Sequence, residues 1–158
     1  MQKSIAGEKH MRRLIREYKK AEYLFERIPF LYLSFKDTVS PYTVPVFYGY
    51  KDGKIFFHSS LKGKKIELLK KSSTVSFAGV ADFKIKRSHI PCSFGCRYKS
   101  ITGTAKAKII KNKKEKVKIL DTIMKKYAKP PFNYGPQILD KTLVVELKIK
   151  NFSAKISE

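Results

Sequence analysis

The stretch Pro41-Tyr42-Thr43-Val44-Pro45-Val46-Phe47-Tyr48-Gly49-Tyr50, continued by Lys51-Asp52-Gly53-Lys54-Ile55-Phe56-Phe57-His58-Ser59-Ser60-Leu61-Lys62-Gly63-Lys64-Lys65, decides how this chain folds. Residues 42–50 and 54–58 are rich in β-branched and aromatic side chains, the composition of strands. Between them Asp52-Gly53 favours the left-handed backbone of a tight hairpin, which makes the two strands antiparallel neighbours. Pro45 has no N–H to give to a ladder, so its strand must be interrupted or lie at an edge. Beyond the second strand, residues 63–72 have helical spacing, with Ile66, Leu69 and Leu68 as the inward positions.

Outward from this stretch the same patterning continues. Towards the N-terminus, Met11, Leu14, Ile15, Tyr18, Ala21, Leu24 and Phe25 recur at three- and four-residue steps and predict one helix from Glu8 to Arg27. Pro29 ends it, and residues 30–35 read as a strand before a turn at residues 36–41. Towards the C-terminus, residues 74–83 read as a strand, followed by a loop of about a dozen residues that holds Pro91, Cys92 and Cys96. Residues 97–111 read as a long strand with Gly103 as its bend. Residues 115–127 form a helix with Val117, Ile119, Leu120, Ile123 and Met124 on one face. Residues 129–136 form a stiff aromatic loop, and residues 142–149 a final strand. Strands and helices do not alternate as βαβ units, so the expected class is mainly β with peripheral helices, an antiparallel sheet or barrel. At 158 residues the whole chain, 1–158, is expected to be a single domain.

The composition narrows the function. With 42% hydrophobic residues, 11 Phe and 9 Tyr, the chain has enough apolar surface to fold. It shows no signal peptide and no apolar run of the roughly 20 residues that a membrane span needs, so a cytoplasmic protein with no membrane partner is expected. Two cysteines are too few for a disulfide framework or a structural zinc site, and no metal is expected. The net charge of +22 attracts nucleic acid, anionic membranes and phosphorylated small molecules alike. Most of that charge is Lys, whereas dedicated nucleic-acid readers use the bidentate Arg fork, so nucleic acid is not the expected partner.

Ser59 and Ser60 end a strand and Gly63, Lys64 and Lys65 open a helix, so hydroxyls, backbone N–H groups, helix dipole and ammonium groups can converge on one anion. A phosphate suits that arrangement; a capped helix with a solvated basic turn is the plainer alternative. The spacing is not that of a nucleotide-hydrolysing phosphate loop. Main-chain groups left free beside Pro45 could pair with the polar rim of a flat ring, with Phe47 or Tyr48 as an apolar wall; an ordinary edge strand has the same pattern. His58 can carry a proton near neutral pH or simply pack.

The run from Pro41 to Ser60, then Gly63-Lys64-Lys65, and later Tyr98-Lys99-Ser100-Ile101-Thr102-Gly103-Thr104-Ala105, resembles the nitroimidazole-reductase-like branch of the pyridoxamine 5′-phosphate oxidase-like flavoproteins. The resemblance implies an FMN-binding antiparallel split β-barrel, a homodimer with two flavins at the subunit interface. Carried onto this chain, it places Pro45, Val46, Phe47 and Tyr48 along the isoalloxazine ring, Ser59 and Ser60 near the phosphate, Lys64 and Lys65 on the phosphate, and Tyr98 and Ser100 near the flavin. Tyr48 stands where the family often has Asn, and Lys99 replaces the common Arg. The implied activity is an FMN-dependent oxidoreductase that passes electrons from a reduced nicotinamide to a small acceptor such as a nitroimidazole-like nitro compound; His58, by its own chemistry and its place before the phosphate segment, is the candidate proton donor. A flavin-storage protein and a basic nucleic-acid-binding barrel are the alternatives, and relatives of this fold also bind haem or a deazaflavin.

Overall fold

The computed structural model describes residues 12–15 and 18–157. In chain order these form β1 (Arg12–Ile15), α1 (Tyr18–Arg27), β2 (Leu31–Phe35), β3 (Tyr42–Val46), β4 (Gly49–Lys51), β5 (Lys54–Ser60), α2 (Lys64–Lys71), β6 (Thr74–Lys86), β7 (Gly95–Ile110), α3 (Lys113–Met124), α4 (Pro136–Lys141) and β8 (Thr142–Ser157). The sheet runs β3-β2-β6-β7-β8-β5-β4, with β1 added to β8, and every pairing is antiparallel.

Pro45 leaves both of its expected marks. β3 lies at one edge of the sheet, and the run breaks after Val46. β4 lies at the opposite edge, yet only Phe47 and Tyr48 separate the two strands. Two intervening residues let the strand ends lie at most about 11 Å apart, so the sheet must roll until its edges meet. The result is an antiparallel split β-barrel with helices around it.

Two apolar clusters follow from the rolling. Inside the barrel, Leu31, Leu33, Phe35, Ile55, Phe57, Val75, Phe77, Ile101, Val145 and Leu147 are buried against Leu24 and Phe25 of α1 and Ile66, Leu68 and Leu69 of α2. Outside it, Phe56, Ile110 and Val144 are covered by Ile119, Leu120 and Ile123 of α3 and Leu139 of α4. Asn112 caps α3 by accepting from the Glu115 N–H at 3.0 Å. Gly49 lets that helix approach: a Cβ there would lie 2.9 Å from the Ile123 backbone. Asp52 and Gly53 both take positive φ, 51° and 73°, as the hairpin between β4 and β5 requires.

The long N-terminal helix of the sequence reading is shorter in the structure. Leu14 and Ile15 lie on β1, paired with Lys155 and Ala154 of β8, and Met11 lies outside the described residues. Beyond the start of β5 at Lys54, the C-terminal half of β8 has a free edge, and pairing with it outweighs helical periodicity in a four-residue segment. The final strand reaches Ser157 rather than Ile149, passing through a register shift opposite Thr104 and Ala105. β6 runs to Lys86, so the cysteine loop shortens to residues 87–94. The short helix α4 fills the gap that the sequence reading left between the expected aromatic loop and the final strand.

Candidate functional site

Tyr32 of β2 stands directly opposite Pro45, and Ser34 opposite Thr43, with their hydroxyls 2.7 Å apart. On the other side Tyr32 faces Ala78 and Ser34 faces Ser76, and further on Ala78 faces Thr102 and Val80 faces Ser100. Residues directly opposite one another share a face. Pro45, Tyr32, Val80 and Ser100 therefore belong to one outward face, away from the half covered by α3 and α4. At its β3 edge this face holds a cavity of about 310 Å³ lined by Phe30, Tyr32, Pro45, Val46 and Phe47. Phe47 is 63% exposed, and Val46 turns its side chain into the core.

Tyr48 does not join this wall. Its ring turns inward from the break between β3 and β4, where it is fully buried, and its hydroxyl reaches the Phe25 and Ile28 carbonyls at the end of α1. Burial raises its pKa far above the usual tyrosine range. Of the four residues expected along a ring, Pro45, Val46 and Phe47 line the cavity and the Tyr48 side chain packs the core.

At the end of β5, Ser60 donates to the Lys62 carbonyl at 2.8 Å, shaping the turn into α2. Gly63 caps α2 with φ 119°, a backbone that favours glycine, and no side chain caps this end. Ile66 and Glu67 donate to the Gly63 carbonyl, while the Lys64 and Lys65 N–H groups have no intrahelical acceptor and lie at the positive end of the dipole, in the turn that follows Ser59 and Ser60 of β5. The two lysines differ. Lys64 is ion-paired to Asp37 at 2.8 Å and stands 5.0 Å from the centre of the Tyr42 ring, so its charge ties α2 to the turn after β2. That pairing keeps Lys64 above and Asp37 below their ordinary pKa values. Lys65 has no carboxylate partner among the described residues and lies close enough to His58 to act on it. The imidazole is exposed to solvent yet partly desolvated by the protein around it. That desolvation, and then the charge of Lys65, pushes His58 below its usual pKa, leaving it neutral at pH 7.

Tyr98 and Ser100 lie far along β8 from this phosphate-binding candidate. Ser59 pairs with Leu143 and Ser60 with Thr142, whereas Ser100 pairs with Lys155 and Tyr98 with Ser157. Leu143 and Lys155 are separated by about 40 Å of strand. Within one chain the two halves of the expected site pair with opposite ends of β8.

Residues 19–156 match the family model described as pyridoxamine 5′-phosphate oxidase. The chain belongs to the pyridoxamine 5′-phosphate oxidase family. Among solved structures of this fold, a proposed 5-nitroimidazole antibiotic resistance protein from Bacteroides thetaiotaomicron is similar at 25% identity, with a TM-score of 0.82 over 94% of this chain and 89% of that one. The flavocytochrome Anf3 from Azotobacter vinelandii superposes with a TM-score of 0.80 at 14% identity, over 92% of this chain and 69% of that one. An FAD and heme binding protein from Mycobacterium smegmatis does so at 0.81 and 18% identity, over 92% and 73%. The last two likenesses show the fold alone. No curated protein matches the chain by sequence.

Sequence reasoning missed Phe30 and Tyr32 as cavity walls, because only the pairing of β2 with β3 sets them beside Pro45. It also missed Lys126 and Tyr127, which follow α3. Lys126 donates to the Phe25 and Glu26 carbonyls, and its ammonium stands over the Tyr48 ring at 4.6 Å. Burial lowers its pKa to about 8, opposed by Glu26. Among the described residues no helix is long and apolar enough to cross a membrane, and no group of three or more His, Cys, Asp or Glu is placed to hold a metal ion.

Proposed function

We propose that this chain is an FMN-dependent oxidoreductase that works as a homodimer, passing electrons from a reduced nicotinamide to a small acceptor. One observation carries the reading: an apolar cavity lined by Pro45, Val46 and Phe47 opens on an uncovered sheet face, in a chain that matches the family from residue 19 to residue 156. An isoalloxazine ring suits this cavity, since Phe30, Tyr32 and Phe47 offer apolar walls and β3 is an edge strand with unpaired main-chain groups. The phosphate suits the uncapped first turn of α2, with Ser59 and Lys65 as further donors and Ser60 shaping the turn through the Lys62 carbonyl. Lys64 holds that turn in place through Asp37 and adds its charge to the field.

The distance between Ser59 and Ser100 along β8 supports the dimer: Tyr98 and Ser100 would complete the site of a second copy rather than their own. The exposed face they share with Tyr32, Ser34, Thr43, Ser76, Ala78 and Val80 mixes polar side chains with the exposed apolar Tyr32 and Val80, a surface that a second sheet can cover. Bound FMN supplies the hydride and single-electron chemistry. The residues bind, orient and exclude water, while neutral His58 beside the phosphate turn can exchange a proton with solvent or substrate. The proposed acceptor class is a nitroimidazole-like nitro compound, extended from the Bacteroides neighbour.

The test is the absorption spectrum of the purified protein, with the released chromophore identified by mass. FMN with turnover of a nitro acceptor is the expected result. FMN without reduction by any nicotinamide donor would assign a storage role. A colourless protein with no affinity for added FMN would overturn the proposal, and a haem or deazaflavin would replace the cofactor.

A further inference from the structure

β3 and β4 are interrupted by two residues whose main chain belongs to no ladder, and one side chain takes the place of the missing strand. The Tyr127 hydroxyl accepts from the Tyr48 N–H at 3.0 Å and lies within donating distance of the Tyr48 carbonyl at 3.1 Å and the Pro29 carbonyl at 2.9 Å. The Tyr127 ring meets Phe47 edge-on, with centroids 4.9 Å apart. Tyr127 therefore grips Phe47 by its ring and Tyr48 by its backbone, immediately after the segment that lines the apolar cavity.

Lys126 fixes where Tyr127 stands. The chain leaves α3 in a tight turn, with the Tyr127 and Ala128 N–H groups donating to the Met124 carbonyl. Lys126 then reaches the carbonyls of Phe25 and Glu26 in the last turn of α1, orphan acceptors at the negative end of that helix. The Tyr48 hydroxyl reaches the same Phe25 carbonyl. Three elements distant in sequence, α1, the β3–β4 break and the end of α3, thus meet at one knot beside the cavity.

We propose that Tyr127, seated by Lys126, is the positioning residue for the ring-binding segment Pro45-Val46-Phe47. The inference rests on the flavin reading above. The knot closes the barrel seam, and the hydroxyl holds the backbone that the ring would lie against; without it the Tyr48 N–H and carbonyl lose their partner and the segment has no ladder to return to.

The variants are Tyr127→Phe, which keeps the ring contact with Phe47, and Lys126→Met, which releases the end of α3. In Tyr127→Phe, amide exchange at residues 47–49 should accelerate in the flavin-free protein. FMN affinity should fall about tenfold, with the flavin fluorescence less quenched. Lys126→Met should shift both readouts in the same direction, and Lys126→Arg should restore them. The Lys126 pair also serves as the test if Tyr127→Phe does not fold. Unchanged exchange at residues 47–49 would overturn the proposal, as would faster exchange with unaltered FMN affinity and fluorescence. Wild-type protein that binds no flavin would instead remove the reading it rests on, while the exchange result would still report on the knot.

Discussion

Lys64 and Lys65 are adjacent and chemically identical, yet the fold gives them different work. Lys64 spends its charge on Asp37, while Lys65 has no carboxylate partner among the described residues and acts on His58. Lys65→Ala should therefore weaken FMN binding by roughly tenfold or more, the cost of a charge-assisted contact. Lys64→Ala should weaken it less and should also loosen the turn after β2, and fluorescence titration of FMN into each variant separates the two. Asp82 shows a second division of labour. It takes φ 54° at the bulge in β6, accepts from Arg27 through both carboxylate oxygens, and is ion-paired to Lys99 at 2.8 Å. These partners, Arg27 foremost, hold its carboxyl at about 2, below the unfolded value. The unfolded chain binds the proton first, so the stability this residue contributes is present above about pH 4 and is lost as the pH falls towards about 2. Urea midpoints measured across that window should fall more steeply for the wild type than for Asp82→Asn, and equal slopes would deny the pairing a role in solution.

At the scale of elements, close approach matters as much as hydrogen bonding. Gly49→Ala would drive a methyl group into the backbone of α3, which cannot move without disturbing Ile119, Leu120 and Ile123 beneath it. A loss of about 2 kcal/mol is expected, read as a lower urea midpoint with the m-value retained. The hairpin at Asp52-Gly53 and the break at Pro45 were legible in the sequence because each depends on a residue with a restricted or unusual backbone. The start of α1 was not: Leu14 and Ile15 continue the helical spacing, and only the free edge of β8 draws them into a strand. The far half of β8 was equally hidden, since Lys150-Asn151 interrupts the alternation just where the register shifts. Likewise, nothing near Lys64 in sequence announces Asp37, and nothing near Tyr127 announces Tyr48. The binding segments could be read locally; the side chains that hold them in place could not.

For the whole molecule, the separation of Ser59 and Ser60 from Tyr98 and Ser100 along β8 leads to a test by mixing. One parent carries Lys64→Ala with Lys65→Ala, the other Tyr98→Ala with Ser100→Ala, and each alone should bind FMN weakly. If the site is shared between copies, a purified mixed dimer holds one fully native site and should bind one FMN with wild-type affinity. If each chain builds its own site, the mixed dimer contains none and should bind no better than its parents.

The same strand has a consequence in time. β8 pairs with β7 on one side and with β5 and then β1 on the other, so the two groups of strands that precede it, β3-β2-β6-β7 and β4-β5, have no ladder in common until it arrives. The pairings that close the structure are therefore those between residues most distant along the chain. A polypeptide built this way can form each group of strands early, but joining them waits for β8, and that closing step is slow and cooperative.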